Sequence, residues 1–263
     1  MLDQPLPLAG RRALVCGASA GIGRAVAQAL AAQGASLVLL ARRPGPLAAA
    51  AAALRAAGAP EVDVLEADLA DEAQVIAAAE AALAAGPVHV LIHNSGGPPG
   101  GPLLGVSAEA LVAVFRQHVI SAQLLCQRLV PGMAAAGFGR IVNIVSTSVY
   151  EPIPGLGLSN TVRAAMGGWS KSLSRELPPG VTINNILPGF TDTDRLVGLA
   201  AARAAAQGTS PEQIRAGWLT EVPEGRLIEP EETAAAVAFL CSPAAGAIRG
   251  VSLAVDGGRS RAI

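Results

Sequence analysis

Aromatic residues are scarce in this chain: four Phe, two Trp and a single tyrosine, Tyr150, make up 3% of its 263 residues. Any chemistry that needs a phenol has one candidate. There are only three cysteines, Cys16, Cys126 and Cys241, far apart in sequence. An odd, scattered set supports neither a disulfide framework nor the close ligand spacing of a zinc site. Charged residues reach 15%, and 19 Lys and Arg against 20 Asp and Glu leave a net charge of −1. That balance gives nucleic acid or an anionic membrane no electrostatic hold. Long apolar runs are missing too: 51% of residues are hydrophobic, yet Pro, Gly or charge intervenes before about 18 in a row. The stretch MLDQPLPLAGRR lacks the basic start and apolar core of a signal peptide. The expectation is a soluble cytoplasmic protein with reduced thiols, no metal, and no nucleic-acid or membrane partner.

What the chain does contain is alternation. Short apolar runs, ALVC (13–16), SLVLLA (36–41), VDVLEA (62–67), VHVLIH (88–93), RIVNIVS (140–146), VTINNIL (181–187) and VSLAVD (251–256), read as buried strands. Helical patterns fill the gaps at 22–33, 45–57, 71–85, 108–136, 157–177 and 230–241. Gly34 and Gly58 fall just past helix ends, and Asp71 and Pro230 fall at helix starts. The Ala-rich run 47–58 lies between two strand signals and reads as a crossover helix. Repeated strand–helix alternation predicts a doubly wound α/β sheet in one domain, residues 1–263. GGPPGG (96–101) must be loop, and the helical stretch 192–217 breaks the rhythm as an insertion, a lid over the site.

The first strand runs into CGASAGIG (16–23), where a helix begins. Glycines let the backbone turn sharply against a pyrophosphate, and the helix N-terminal amides supply partial positive charge. The spacing of Gly17, Gly21 and Gly23 resembles the TGxxxGxG turn of short-chain dehydrogenases/reductases, with Cys16 where Thr is usual. The resemblance extends over nearly the whole chain. Asp68-Leu69 resembles the family's adenine-contacting pair, HNSG (93–96) its NNAG, PGFTDT (188–193) its PGxxxT, and VDGG (255–258) its C-terminal strand end. It implies a Rossmann-type, mostly parallel seven-stranded sheet of order 3-2-1-4-5-6-7. It also implies a dinucleotide held by Gly17, Ser19, Gly21, Ile22, Gly23, Asp68, Leu69, Asn94, Gly96, Pro188, Gly189 and Thr193. Within the family the chain is most similar to 3-oxoacyl-carrier-protein reductases, and the resemblance implies a homotetramer or homodimer.

An NAD site needs a carboxylate about 20 residues past the glycines, to accept from the ribose hydroxyls. Here Ala41 is followed by Arg42 and Arg43. No carboxylate repels a 2′-phosphate, and a guanidinium can pair with it. NADP(H) is the expected cofactor, ahead of NAD(H).

At the catalytic positions the pattern breaks. In the family a Tyr donates the proton, a Lys depresses its pKa, a Ser holds the carbonyl oxygen and an Asn supports a water relay. Ser146 matches the serine, but Ser159 stands for Tyr, Arg163 for Lys and His118 for Asn. The downstream segment AAMGGWSKSLSREL (164–177) keeps this register, with Lys171 exposed on the same helix. Arg163 is long enough to bond the nicotinamide ribose hydroxyls. Ser159 is too short and too weakly acidic to replace the phenol. His118, titrating near 6.5 when unperturbed, could donate a proton directly or through water. Tyr150, on the loop after the fifth strand, could swing into the site. Two functions stay open: an NADP(H)-dependent oxidoreductase acting on a carbonyl or alcohol with a non-standard proton donor, or a non-catalytic dinucleotide-binding sensor or structural subunit. The apolar stretch 196–208, with Arg203 and, further on, Arg215, indicates a largely apolar substrate wall.

Overall fold

The five inner strands are short, rich in apolar residues and almost wholly buried, the two edge strands are partly exposed, and the seven pair into one all-parallel sheet. A computed structural model describing residues 6–262 gives the order β3-β2-β1-β4-β5-β6-β7. The strands are β1 (Arg12–Cys16), β2 (Ser36–Ala41), β3 (Val62–Glu66), β4 (Val90–His93), β5 (Gly139–Ile144), β6 (Val181–Pro188) and β7 (Ser252–Val255). The expected order and parallel pairing are both found.

The helices are α1 (Gly21–Ala32), α2 (Pro44–Ala56), α3 (Glu72–Ala84), α4 (Ala108–Phe115), α5 (Ser121–Ala135), α6 (Gly157–Glu176), α7 (Asp194–Gln207), α8 (Pro211–Leu219) and α9 (Pro230–Cys241). Alternating side chains of β1 serve the two faces. Ala13 and Val15 pack with α1, α2 and α9, while Leu14 and Cys16 pack with α3 and α5. Asp71 caps α3, its carboxylate accepting from the Ala73 and Gln74 amides, and Pro230 opens α9.

Three local departures matter for the site. The pattern at 108–136 reads as one α-helix, but α4 and α5 are joined by a π-helical turn, Arg116–Ile120, centred on His118. Such a turn holds one residue more than the α-helical ladder allows and is common at functional sites. The fifth strand ends at Ile144, so Ser146 caps a short turn instead of closing the strand. The insertion 192–217 becomes two helices, α7 and α8, whose Leu196, Ala200 and Trp218 form their own apolar cluster with Phe190. No helix among the described residues is long and apolar enough to cross a membrane.

Candidate active site

Every parallel strand ends on the same side of the sheet, and the order reverses between β1 and β4, so a crevice opens there. It is a cavity of about 840 Å³. Gly17, Ser19, Gly21 and Ile22 form one wall, Arg42, Arg43, Asp68 and Leu69 the far end, and Asn94, Gly96 and Thr193 the opposite side. These are residues expected from the sequence, brought together. Gly23, Pro188, Gly189 and Arg163 do not line it. Gly23 acts by packing, since a Cβ there would collide with the Gly17 carbonyl oxygen. Gly189 backs onto Asp256, where a Cβ would lie 2.7 Å from its Cα.

The wall fits a dinucleotide diphosphate. Gly17 adopts φ +63° and leaves no room for a Cβ, which would sit 2.6 Å from Asn94 Nδ2. Backbone can therefore approach a ligand closely there. The N-terminus of α1 has no side-chain cap and no acidic residue in its first turn, so its amides remain for an anion. Asn94 braces the turn through Nδ2, which donates to Gly17 O at 3.4 Å. Thr193 closes it from the other side, its Cγ2 within 3.2 Å of where a Gly21 Cβ would be. At the β2 end, Arg42 lies 3.5 Å from Asp68 in a half-exposed pair, so that carboxylate is already engaged. Arg43 stays exposed beside it.

The residues at the catalytic positions sit behind this wall, with His118 and Arg163 both hydrogen-bonded to Ser95, which lines it. Among the cavity's lining residues are none of Ser146, Ser159, Arg163 and His118. Ser146 Oγ accepts from the Ser148 amide at 3.1 Å, which leaves its O–H free to donate. Ser159 is half-buried in the first turn of α6. Arg163 lies one turn on, and it does not line the cavity. Its Nη1 donates to the Ile144 carbonyl at 2.7 Å and its Nη2 to the Ser95 carbonyl at 3.4 Å, tying the ends of β5 and β4 together. Burial, then Arg195, pulls the guanidinium down to about 10, so it stays charged at neutral pH.

His118 lies in the π turn. It is 1% exposed, its Nδ1 hydrogen-bonds Ser95 Oγ at 2.7 Å, and Nε2 has no partner among the described residues. Burial, with Arg163, His93 and Arg195 adding repulsion, drives its pKa down to about 2. A neutral imidazole at physiological pH is no general acid. His93, bonded through Nε2 to Ser121 Oγ at 2.9 Å, is likewise pushed down to about 3, first by burial. Tyr150 does not swing in: its hydroxyl donates to the Ser252 carbonyl at 2.7 Å and anchors the loop to β7. Lys171 is exposed, as expected, and donates to the Gly250 carbonyl. All three cysteines are free and buried, their thiols pushed up to about 12 by burial.

Gln117 and Arg195 are among the cavity residues that sequence reasoning missed. Gln117 Nε2 donates to the Gly96 carbonyl at 2.9 Å from the π turn, which no periodicity signals. Arg195 follows two residues after Thr193, so its place beside the PGFTDT motif was the available signal.

The family model described as Enoyl-(Acyl carrier protein) reductase matches residues 17–260. The 3-oxoacyl-[acyl-carrier-protein] reductase of Escherichia coli is 35% identical over 253 residues, covering 95% of this chain and 97% of that protein. The cis-4-hydroxycyclohexanecarboxylate dehydrogenase of Sinomonas cyclohexanicum is 35% identical over 265 residues, covering 95% and 96%. The crystal structure of L-sorbose reductase from Gluconobacter frateurii, complexed with NADPH and L-sorbose, superposes with a TM-score of 0.93 at 29% identity, covering 99% and 100%.

Proposed function

Because this chain belongs to the short-chain dehydrogenase/reductase family, we propose that it is an NADP(H)-dependent oxidoreductase acting on a carbonyl or alcohol substrate. The observation that carries this reading is the cavity itself: an uncapped α1 N-terminus at one end and two arginines without a free carboxylate at the other. The NADPH bound in the sorbose reductase structure supports the same cofactor. Bound there, the nicotinamide supplies the hydride. Ser146 donates its free O–H to the substrate carbonyl oxygen and so favours charge developing on it. Arg163 keeps a fixed positive charge behind the strand ends. The proton comes from water passed by the hydroxyls of Ser146 and Ser159, since neither an imidazolium nor a phenol is in place. The pair α7 and α8 serves as the substrate lid. We take the protein to be a cytoplasmic homo-oligomer that assembles through α6 and β7, where Val251 and Leu253 are exposed.

A second reading, a non-catalytic dinucleotide binder, draws on Arg163 being occupied by backbone carbonyls and absent from the cavity wall. Both readings require NADPH binding. Fluorescence titration should show NADPH binding at least about tenfold more tightly than NADH, with Arg42→Ala and Arg43→Ala together erasing the difference. Equal affinity for the two, untouched by the double variant, would overturn the cofactor assignment.

A further inference from the structure

The cavity contains a cation with no anion. Arg195 projects from the first turn of α7, where a positive charge opposes the helix dipole. Its guanidinium crosses the cleft: Nη1 donates to the Gly97 carbonyl at 2.9 Å and Nη2 to the Pro98 carbonyl at 3.5 Å. Gly97 has no side chain, and the guanidinium lies in the space a Cβ there would take. Among the described residues no carboxylate oxygen lies within 4.0 Å of it. Of the cavity's two acids, Asp68 faces Arg42 at the far end, and Asp194 sits exposed at the first position of α7.

A guanidinium offered only carbonyls keeps an unmet preference for a planar, bidentate anion. Around it the wall is apolar or bare: Pro98, Pro99 and Gly100 on the loop, Gly198, Leu199 and Ala202 on α7. This end lies away from the Arg42–Arg43 pole and next to the lid. Resting on the oxidoreductase reading, we propose that Arg195 selects substrates bearing a carboxylate, which takes the place of the Gly97 and Pro98 carbonyls while the rest of the molecule lies against the apolar wall. A carboxylate partner would offset the partial desolvation that lowers the Arg195 guanidinium below its ordinary value, although the side chain stays exposed at the cavity's edge.

Calorimetric titration of the NADP⁺-loaded protein tests this, using acetoacetate and levulinate, each beside its methyl ester. The acids should bind at least about tenfold more tightly than the esters, the advantage of one charge-assisted bidentate pair. Arg195→Gln should bring acid and ester within about twofold of each other, Arg195→Lys should keep part of the gap, and NADPH affinity should stay within about threefold in both variants. Equal binding of acid and ester to the wild type, or binding of neither, would overturn the proposal. So would Arg195→Gln weakening NADPH as much as the acids, which would assign the guanidinium to the cofactor diphosphate. A wild-type chain that fails to bind NADPH would instead overturn the oxidoreductase reading on which the proposal rests.

Discussion

Introducing Ser159→Tyr together with Arg163→Lys should raise single-turnover NADPH oxidation about 100-fold or more on any ketone the wild type reduces. Positioned general acids contribute about 10²–10⁴ in rate. A serine hydroxyl is several pKa units less acidic than a phenol, whose ordinary value is near 10. The position is suited to the change, because Ser159 stands half-buried at the start of α6, one turn before residue 163. The two substitutions should act jointly. A phenol alone would face a guanidinium committed to the Ile144 and Ser95 carbonyls, while a lysine alone would have no acid to tune. Arg163→Lys by itself should cost about 1 kcal/mol of stability through those lost bonds. NADPH affinity, measured by fluorescence, should change little, since neither residue lines the cavity. A double variant that binds NADPH normally and turns over no faster would mean that residue 159 does not face the reacting carbon.

Lowering the pH from about 7 to about 5 should cost about 2–4 kcal/mol of folding stability, read as the urea midpoint at constant m. His93 and His118 both have folded pKa values far below the unfolded 6.5, at about 3 and about 2. Below 6.5 the unfolded chain binds two protons that the folded chain refuses. Each histidine therefore contributes stability in full above 6.5 and loses it as pH falls toward the folded values, by about 1.4 kcal/mol per pH unit. His89 is lowered too, first by burial, and adds in the same direction, but it is partly solvated and its share is screened. His118→Asn should remove close to half of the acid sensitivity, whatever it does to stability at pH 7. A midpoint unmoved between these pH values would mean that both imidazoles are solvated or paired with an acid.

Hydrophobic runs with glycine and proline punctuation were enough to read the sheet, its helices and the dinucleotide turn. These features are local, and each strand and the Gly17–Gly23 turn lie within a few residues of where period and spacing put them. The single tyrosine was legible too, because composition alone excludes a phenol at residue 159. What could not be read was direction. Arg163 is as long as a ribose contact requires, yet two backbone carbonyls at strand ends claim its guanidinium, and no sequence pattern reports unpaired carbonyls. His118 could donate a proton at its ordinary pKa, but the π turn buries it against Ser95. Arg195 lay in plain view after Thr193, and only the folded loop at Gly97 shows what it crosses.

The most direct test is the pH dependence of single-turnover NADPH oxidation by the wild-type protein, from about pH 6 to about pH 8.5, with carbonyl substrate in excess. With His118 neutral and Arg163 charged throughout this range, the rate should be flat across the imidazole region. A rate that falls as pH rises through about 6.5, and loses that step in His118→Asn, would put the proton on the imidazole and contradict the account.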